Sequence, residues 1–273
     1  MRNRQKAMLL FMALIGCILG CSDSFLDSED APAPETINFP PLTIEEIDRD
    51  FSELTINTGI NDFSLPIANN QTWDFRLIAP ELNGDELVPL FVNLHGGALT
   101  PRDDAHKGTA CLIEPAIEGM KAYILSPNAN GLLWYDVANE SQVVNLVNFA
   151  IKHLKVDPKR VVVVGYSDGG NGSWFFSDTH PELFSAGIPM ATAYGLRYEN
   201  GILQKTEIPL YVIQGELDTL FPYTNTESAV ELSVATGSDI TLIKAIGLGH
   251  SVPCEYLPYL KDAMVWLNDY VWQ

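Results

Sequence analysis

Residues 160–170 read Arg-Val-Val-Val-Val-Gly-Tyr-Ser-Asp-Gly-Gly. The run Arg160 to Val164 is short, apolar and β-branched, and it ends at a glycine. It reads as a strand buried on both faces of a parallel sheet. Gly165-Tyr166-Ser167-Asp168-Gly169 follows at once and leads into a helical segment. In that strand–turn–helix setting, Gly-x-Ser-x-Gly spacing marks a strained turn that lifts the central hydroxyl above the sheet. The glycines are required because a β-carbon at either flank would strike the neighbouring strand or helix. The N-terminus of the following helix favours negative charge developing beside Ser167.

Similar runs lie on both sides. Val88 to Leu94, Ala122 to Leu125, Ser185 to Met190, Pro209 to Ile213 and Ile240 to Ile246 each end near Gly or Pro. Between them, Val143, Val147, Ala150, Ile151 and Leu154 share one helical face, with Asn145, Asn148, Lys152 and Lys155 on the other. Leu260, Met264, Leu267 and Val271 make another apolar stripe. Asn61 to Ile67 and Trp73 to Ile78 read as antiparallel edge strands, and Asn83-Gly84-Asp85 as a hairpin turn before the first buried strand. The class is α/β, with a mainly parallel central sheet of about eight strands and helices on both faces. Residues 191–208 leave room for one connecting helix or loop and not for a large cap domain.

A hydroxyl becomes a useful nucleophile when a base takes its proton. Of the five histidines, His153 lies in a helix, His180 follows one, His106 sits in a charged loop and His95 opens His95-Gly96-Gly97. His250, in Gly247-Leu248-Gly249-His250-Ser251, lies between the last strand and the last helix, where a loop can reach Ser167. The imidazole needs an orienting carboxylate. Gly215-Glu216-Leu217-Asp218 offers two, and Asp218, further into the loop, is the better placed. Backbone N–H groups of Gly97 or Ala98 and of Asp168 would form the oxyanion hole. The Asp168 side chain is expected to cap the following helix. Trp134 and Tyr135, after the second buried strand, are candidates to stack on a sugar or an aromatic acyl group.

Leu94-His-Gly-Gly97, Val156-Asp-Pro-Lys-Arg-Val…Gly-Tyr-Ser-Asp-Gly-Gly170, Gly215-Glu-Leu-Asp-Thr-Leu-Phe-Pro222 and Gly247-Leu-Gly-His250 occur in this order. Together they resemble the α/β-hydrolase superfamily. Within it they look like the polyhydroxybutyrate depolymerase, feruloyl esterase and predicted esterase-peptidase group. The resemblance runs from about Asn61 to the C-terminus. It implies a Ser167–Asp218–His250 triad, a covalent acyl-enzyme and no cofactor. Asp168 departs from the Asn, Gln or Ala of many relatives, and a carboxylate there would disfavour anionic substrates. The expected reaction is cleavage of carboxylic esters, with acetyl or feruloyl groups on plant polysaccharide as the favoured substrates. Two alternatives are a serine peptidase of the prolyl-oligopeptidase type and a non-catalytic, lipid-anchored binding protein. Neither a His-Glu-x-x-His motif, paired Cys-x-x-Cys motifs nor a phosphate-loop sequence points to a metal or nucleotide.

The ends of the chain speak to location. A formal charge of −19 argues against a nucleic-acid partner and against docking on anionic lipid through a basic surface. Arg2, Arg4 and Lys6 precede an uncharged stretch over residues 7–20. That stretch is shorter than the roughly 20 residues of a membrane span, and it reads as a secretory leader. Ile18-Leu19-Gly20-Cys21 resembles a bacterial lipobox, as does Leu14-Ile15-Gly16-Cys17. Cys21 is preferred because Ser22 and Asp23 begin the polar region. Residues 21–42, acidic and Pro-rich, form a tether, and 43–273 the catalytic domain. These features predict a cell-envelope lipoprotein of the outer membrane, held by its lipid alone. Cys111 and Cys254 allow one pairing, which an oxidising compartment permits and the sequence leaves open. Cys21→Ala is expected to abolish acylation and release the protein from the membrane fraction; lipid found on Cys17 instead would select the other box.

Overall fold

A computed structural model describes residues 41–97 and 99–273. The leader, Cys17, Cys21 and the tether as far as residue 40 lie outside the described residues, as does Ala98. The strands in chain order are β1 (Gly59–Ala68), β2 (Gln71–Ala79), β3 (Val88–Leu94), β4 (Tyr123–Pro127), β5 (Val156–Tyr166), β6 (Ala186–Met190), β7 (Tyr198–Glu199), β8 (Ile202–Leu203), β9 (Leu210–Gly215) and β10 (Ile240–Ala245). Eight of them make one sheet in the order β1-β2-β4-β3-β5-β6-β9-β10. The first two pairings, β1 with β2 and β2 with β4, are antiparallel. The remainder of the sheet is parallel. The β7–β8 pair is a small hairpin in the connection after β6, so that connection carries no cap domain.

The valine run 161–164 explains the central place of β5. Val161 and Val163 join one core, and Val162 and Val164 join the other. The first core packs against α1 (Ile44–Ser52), α3 (Val137–His153), α4 (Asp168–Thr179) and α5 (Tyr223–Ala235). The second packs against α2 (Ile113–Ala116) and α6 (Leu257–Trp266). A strand with no exposed face has to be apolar at every position. In α3, Val143, Val147 and Ala150 are buried as expected, together with Leu146 and Phe149; Leu154 lies just past the helix. The C-terminal stripe buries Leu260, Met264 and Leu267, with Val271 partly covered.

Two local readings change. Asn83-Gly84-Asp85 is a bend and not a hairpin turn, because β2 pairs with β1 and β4 and not with β3. Turn chemistry reverses a chain, but burial decides where the next strand goes. All seven residues of β3 are buried, so β3 lies inside the sheet between β4 and β5. The hairpin is instead at Asn69-Asn70, where Asn70 takes φ 57°. The short helix α1 was not read from the sequence, although Thr43-x-x-Glu46 forms a capping box in which each side chain bonds the other residue's N–H. Its Phe51 packs on Phe149 with ring centroids 5.6 Å apart.

Cys111 and Cys254 are joined by a disulfide across 143 residues. It ties the segment before α2 to the turn at Pro253–Tyr256, just beyond His250. Closing a loop of that length removes up to about 5 kcal/mol of unfolded-chain entropy in the simplest model. Among the described residues no helix is long and apolar enough to cross a membrane.

Candidate active site

The loops that carry chemistry leave the carboxyl ends of β3, β5, β9 and β10. Leu94 pairs with Gly165, so the chain leaving β3 runs beside Ser167. Ser167 itself sits at φ 58°, ψ −121°, a strained conformation for a residue with a side chain. The flanking glycines make it possible. A β-carbon on Gly165 would lie 1.9 Å from the Gly169 carbonyl oxygen, and one on Gly169 would lie 1.9 Å from that of Leu94. No side chain fits at either position.

Ser167 Oγ lies 2.8 Å from His250 Nε2. His250 Nδ1 lies 2.9 Å from Asp218 Oδ2. A carboxylate only accepts, so Nδ1 carries the imidazole proton and Nε2 is free to accept from the serine. Asp218 is buried. Its Oδ1 accepts from the N–H groups of Leu220 and Phe221 at 2.9 and 2.8 Å, and its Oδ2 accepts from Gln214 Nε2 at 3.2 Å. Those donors fix the position of the carboxylate. Glu216 does other work: its Oε2 accepts from the Gly247 N–H at 2.9 Å and shapes the loop that carries His250. Phe221 meets the imidazole edge-on at 5.2 Å, and the Tyr166 hydroxyl donates to the His250 carbonyl.

Gly97 takes φ +88°, a left-handed conformation that suits glycine and turns the chain beside the serine. The Asp168 N–H opens α4, where helix geometry supplies no internal acceptor. Both are available to a developing oxyanion. Ala98, the third candidate, is not described.

His95 serves this loop and not proton transfer. Its Nε2 accepts from the Ala129 N–H at 3.0 Å and its Nδ1 donates to the Gly96 carbonyl at 2.9 Å. Burial pushes its pKa down, which keeps it neutral. His106 is buried, and His153 and His180 bond Asp48 and Glu140 at 2.7 and 2.8 Å.

Three expectations need correction or division. The Asp168 side chain makes no capping bond. It is 7% exposed with Oδ2 unpartnered, and its carboxyl is pushed up to about 6 by burial and then by Asp136. Trp134 is fully buried and donates from Nε1 to the His95 carbonyl at 3.0 Å, so it braces the oxyanion loop and offers no face to a substrate. Tyr135, its neighbour, is half-exposed and lines a cleft beside α4. Gln214 and Tyr166 were missed. A lone glutamine ending an otherwise apolar strand was a readable signal for the first; nothing in the sequence marked the second. Among the described residues, no group of three or more His, Cys, Asp or Glu is placed to hold a metal.

Sheet order, strained elbow and hydrogen-bonded Ser, His and Asp give the chain the α/β-hydrolase fold and the geometry of a serine-hydrolase site. Residues 128–263 match the dienelactone hydrolase family. A thermostable esterase aligns with TM-score 0.62 and 21% identity, over 77% of this chain and 62% of that one. A propionate-bound esterase from the planctomycete Thermogutta terrifontis gives 0.63 and 15%, over 77% and 94%. Acylaminoacyl peptidase from Pyrococcus horikoshii gives 0.57 and 14%, over 79% and 42%. No curated protein matches by sequence.

Two outcomes follow from this geometry. Asp218→Asn, which leaves the imidazole in the wrong tautomer, is expected to lower kcat by about 10⁴-fold, whereas Glu216→Gln keeps most activity; ester kinetics on both variants decide between the two acids. Asp168 holds its proton more tightly folded than unfolded, so its share of stability is full below its ordinary value of 3.8 and is lost as pH rises to about 6. Asp168→Asn is therefore expected to stabilise the fold at pH 8, on the order of 2 kcal/mol, with little gain near pH 3.5. Urea titrations at both pH values read the difference, and an equal gain at both would refute the assignment.

Proposed function

We propose that the protein is a carboxylic ester hydrolase acting through an acyl-enzyme on Ser167. The observation that carries the proposal is the continuous hydrogen-bonded path Ser167–His250–Asp218 beside two available backbone donors. His250 Nε2 takes the Ser167 proton as Oγ attacks the acyl carbonyl carbon. The tetrahedral oxyanion accepts from the N–H groups of Gly97 and Asp168. As it collapses, the C–O bond to the alcohol breaks and His250 protonates the departing oxygen. Water then enters, loses a proton to His250 and attacks the acyl carbon. The acid departs and the proton returns to Ser167. No cofactor takes part in this sequence.

Acetyl or feruloyl esters on plant polysaccharide are the favoured substrates. The uncapped connection after β6 supports a site open to a chain too large to be engulfed. Tyr135, half-exposed beside that site, supports a ring-bearing substrate. With Cys21 lipidated, the enzyme would sit in the cell envelope, where polysaccharide fragments arrive. The likeness to an acylaminoacyl peptidase keeps a second reading, peptide-bond cleavage, in the test.

A fluorophosphonate probe is expected to label the wild type and not Ser167→Ala; labelling that survives the substitution would remove Ser167 as nucleophile. A panel of acetyl, butyryl, long-chain, feruloyl and peptide substrates then sorts the readings. Release of acetate or ferulate from decorated xylan supports the polysaccharide assignment, and preference for long acyl chains or for peptides defeats it.

A further inference from the structure

A cleft of about 360 Å³ runs along α4 between that helix, Tyr135 and the segment 193–197. Its near end is Asn171 and its far end Asp178. At 1.5 Å of rise per residue, these stand roughly 6 and 16 Å along the helix from Ser167. The cleft therefore holds a part of the substrate some distance from the bond that breaks.

Its walls and its polar groups ask for different things. Tyr135, Phe175 and Tyr194 supply flat apolar surface, with Trp174 buried behind Tyr194 in a stack at 3.6 Å. Trp174 is 2% exposed, yet its Nε1 donor has no partner. The Nε of Arg197 is likewise buried and unpartnered, while its Nη1 faces Glu199 at 3.4 Å. Burial pushes the Asp178 carboxyl up to about 6, with Arg197 pulling the other way. Buried polar groups are ordinarily satisfied, and each one left unpaired costs about 1–3 kcal/mol. Here two donors and an acid gather on one cleft, whose Asn171 stands one helical turn beyond Ser167.

We propose that this cleft is the subsite for a neutral sugar ring of the alcohol portion of the substrate. The proposal rests on the esterase reading and names the chemistry of its leaving group. A pyranose has apolar C–H faces that pack on aromatic rings and hydroxyl edges that both donate and accept. It can answer Trp174, Arg197 and Asp178 together. A hydrocarbon chain would leave both donors unpaired and add to the desolvation of the acid. A feruloyl group offers one hydroxyl and one methoxy oxygen on a single edge, whereas a pyranose presents hydroxyls around its whole rim. A uronate would set its carboxylate against Asp178 in a chain of net charge −19.

The experiment uses the full chain with Ser167→Ala, titrated calorimetrically with xylotetraose, cellotetraose and mannotetraose. At least one of these neutral, unesterified probes is expected to bind, and Asp178→Ala and Arg197→Met are each expected to weaken it at least tenfold. In the active enzyme, the same substitutions should lower kcat/KM for an acetylated oligosaccharide at least tenfold relative to p-nitrophenyl acetate. Arg197→Met stands as an independent variant should Asp178→Ala fold poorly. Absence of binding by all three probes, or binding that neither substitution changes, overturns the subsite. Ethyl ferulate whose binding depends on Asp178 while the oligosaccharides do not bind would give the cleft to an aryl group instead. Hydrolysis of p-nitrophenyl acetate is read separately. If it is present without sugar binding, the subsite alone fails; if it is absent while Asp178-dependent sugar binding persists, the esterase reading fails and the subsite stands.

Discussion

The backbone of Ser167 is the constraint around which the rest is arranged. Its conformation costs on the order of 1–3 kcal/mol and persists only where the surroundings leave no alternative. Gly165 and Gly169 touch each other's backbone, and Gly169 also touches that of Leu94. A relaxed turn would have to push β3 and α4 apart. The valine run 161–164 of β5 and the buried β3 hold those elements in place through the two cores on either face of the sheet. The strain is thus held by the same burial that makes the sheet.

Once the serine is placed, the other groups converge because β9 and β10 are parallel neighbours. Lys244 pairs with Gln214, and Ala245 with Gly215. The loops that follow therefore start side by side, one with Asp218 and the other with His250. Glu216 bonds across from the first loop to the second, and the disulfide at Cys254 anchors the far end of the histidine loop. Precision in the Nδ1–Oδ2 contact comes from these restraints, since His250 itself sits outside any regular element. Asp218 is held by three donors, so it arrives in position before the histidine does its work.

The fold was legible because burial on both faces leaves a direct trace: the runs Val88 to Leu94 and Arg160 to Val164 cannot be anything but inner strands of such a sheet. The elbow glycines were legible for the same kind of reason, since geometry forces that residue type, whereas the order of Ser167, Asp218 and His250 was what the resemblance to the α/β-hydrolase superfamily implied. What was not legible depends on pairing between distant segments. The bend at Asn83-Gly84-Asp85 has hairpin chemistry, and only the position of β3 shows that it connects non-neighbours. Trp134 and Tyr135 are adjacent in sequence and differ entirely in fate. One is fully buried under His95 and the other is 48% exposed at a cleft. Asp168 looks like a capping residue, but its side chain turns into the interior and forgoes the bond.

Unpartnered polar groups then separate two parts of the site. Asp168 is buried and unsatisfied directly beside the nucleophile, where it raises local negative potential and costs stability at neutral pH. Its backbone N–H, at the first position of α4, has no intrahelical acceptor and is the group the proposed reaction would use. Trp174, Arg197 and Asp178 are unsatisfied or desolvated at a distance where no bond is made or broken. In the proposed subsite, groups in that position would contribute nothing to a small ester and would gain partners only when a larger substrate fills the cleft. On the proposed reading, rate on a minimal ester and selectivity for a decorated one would depend on different parts of the fold: the first turn of α4 would set the reaction, and its later turns with the segment 193–197 would set what is brought to it.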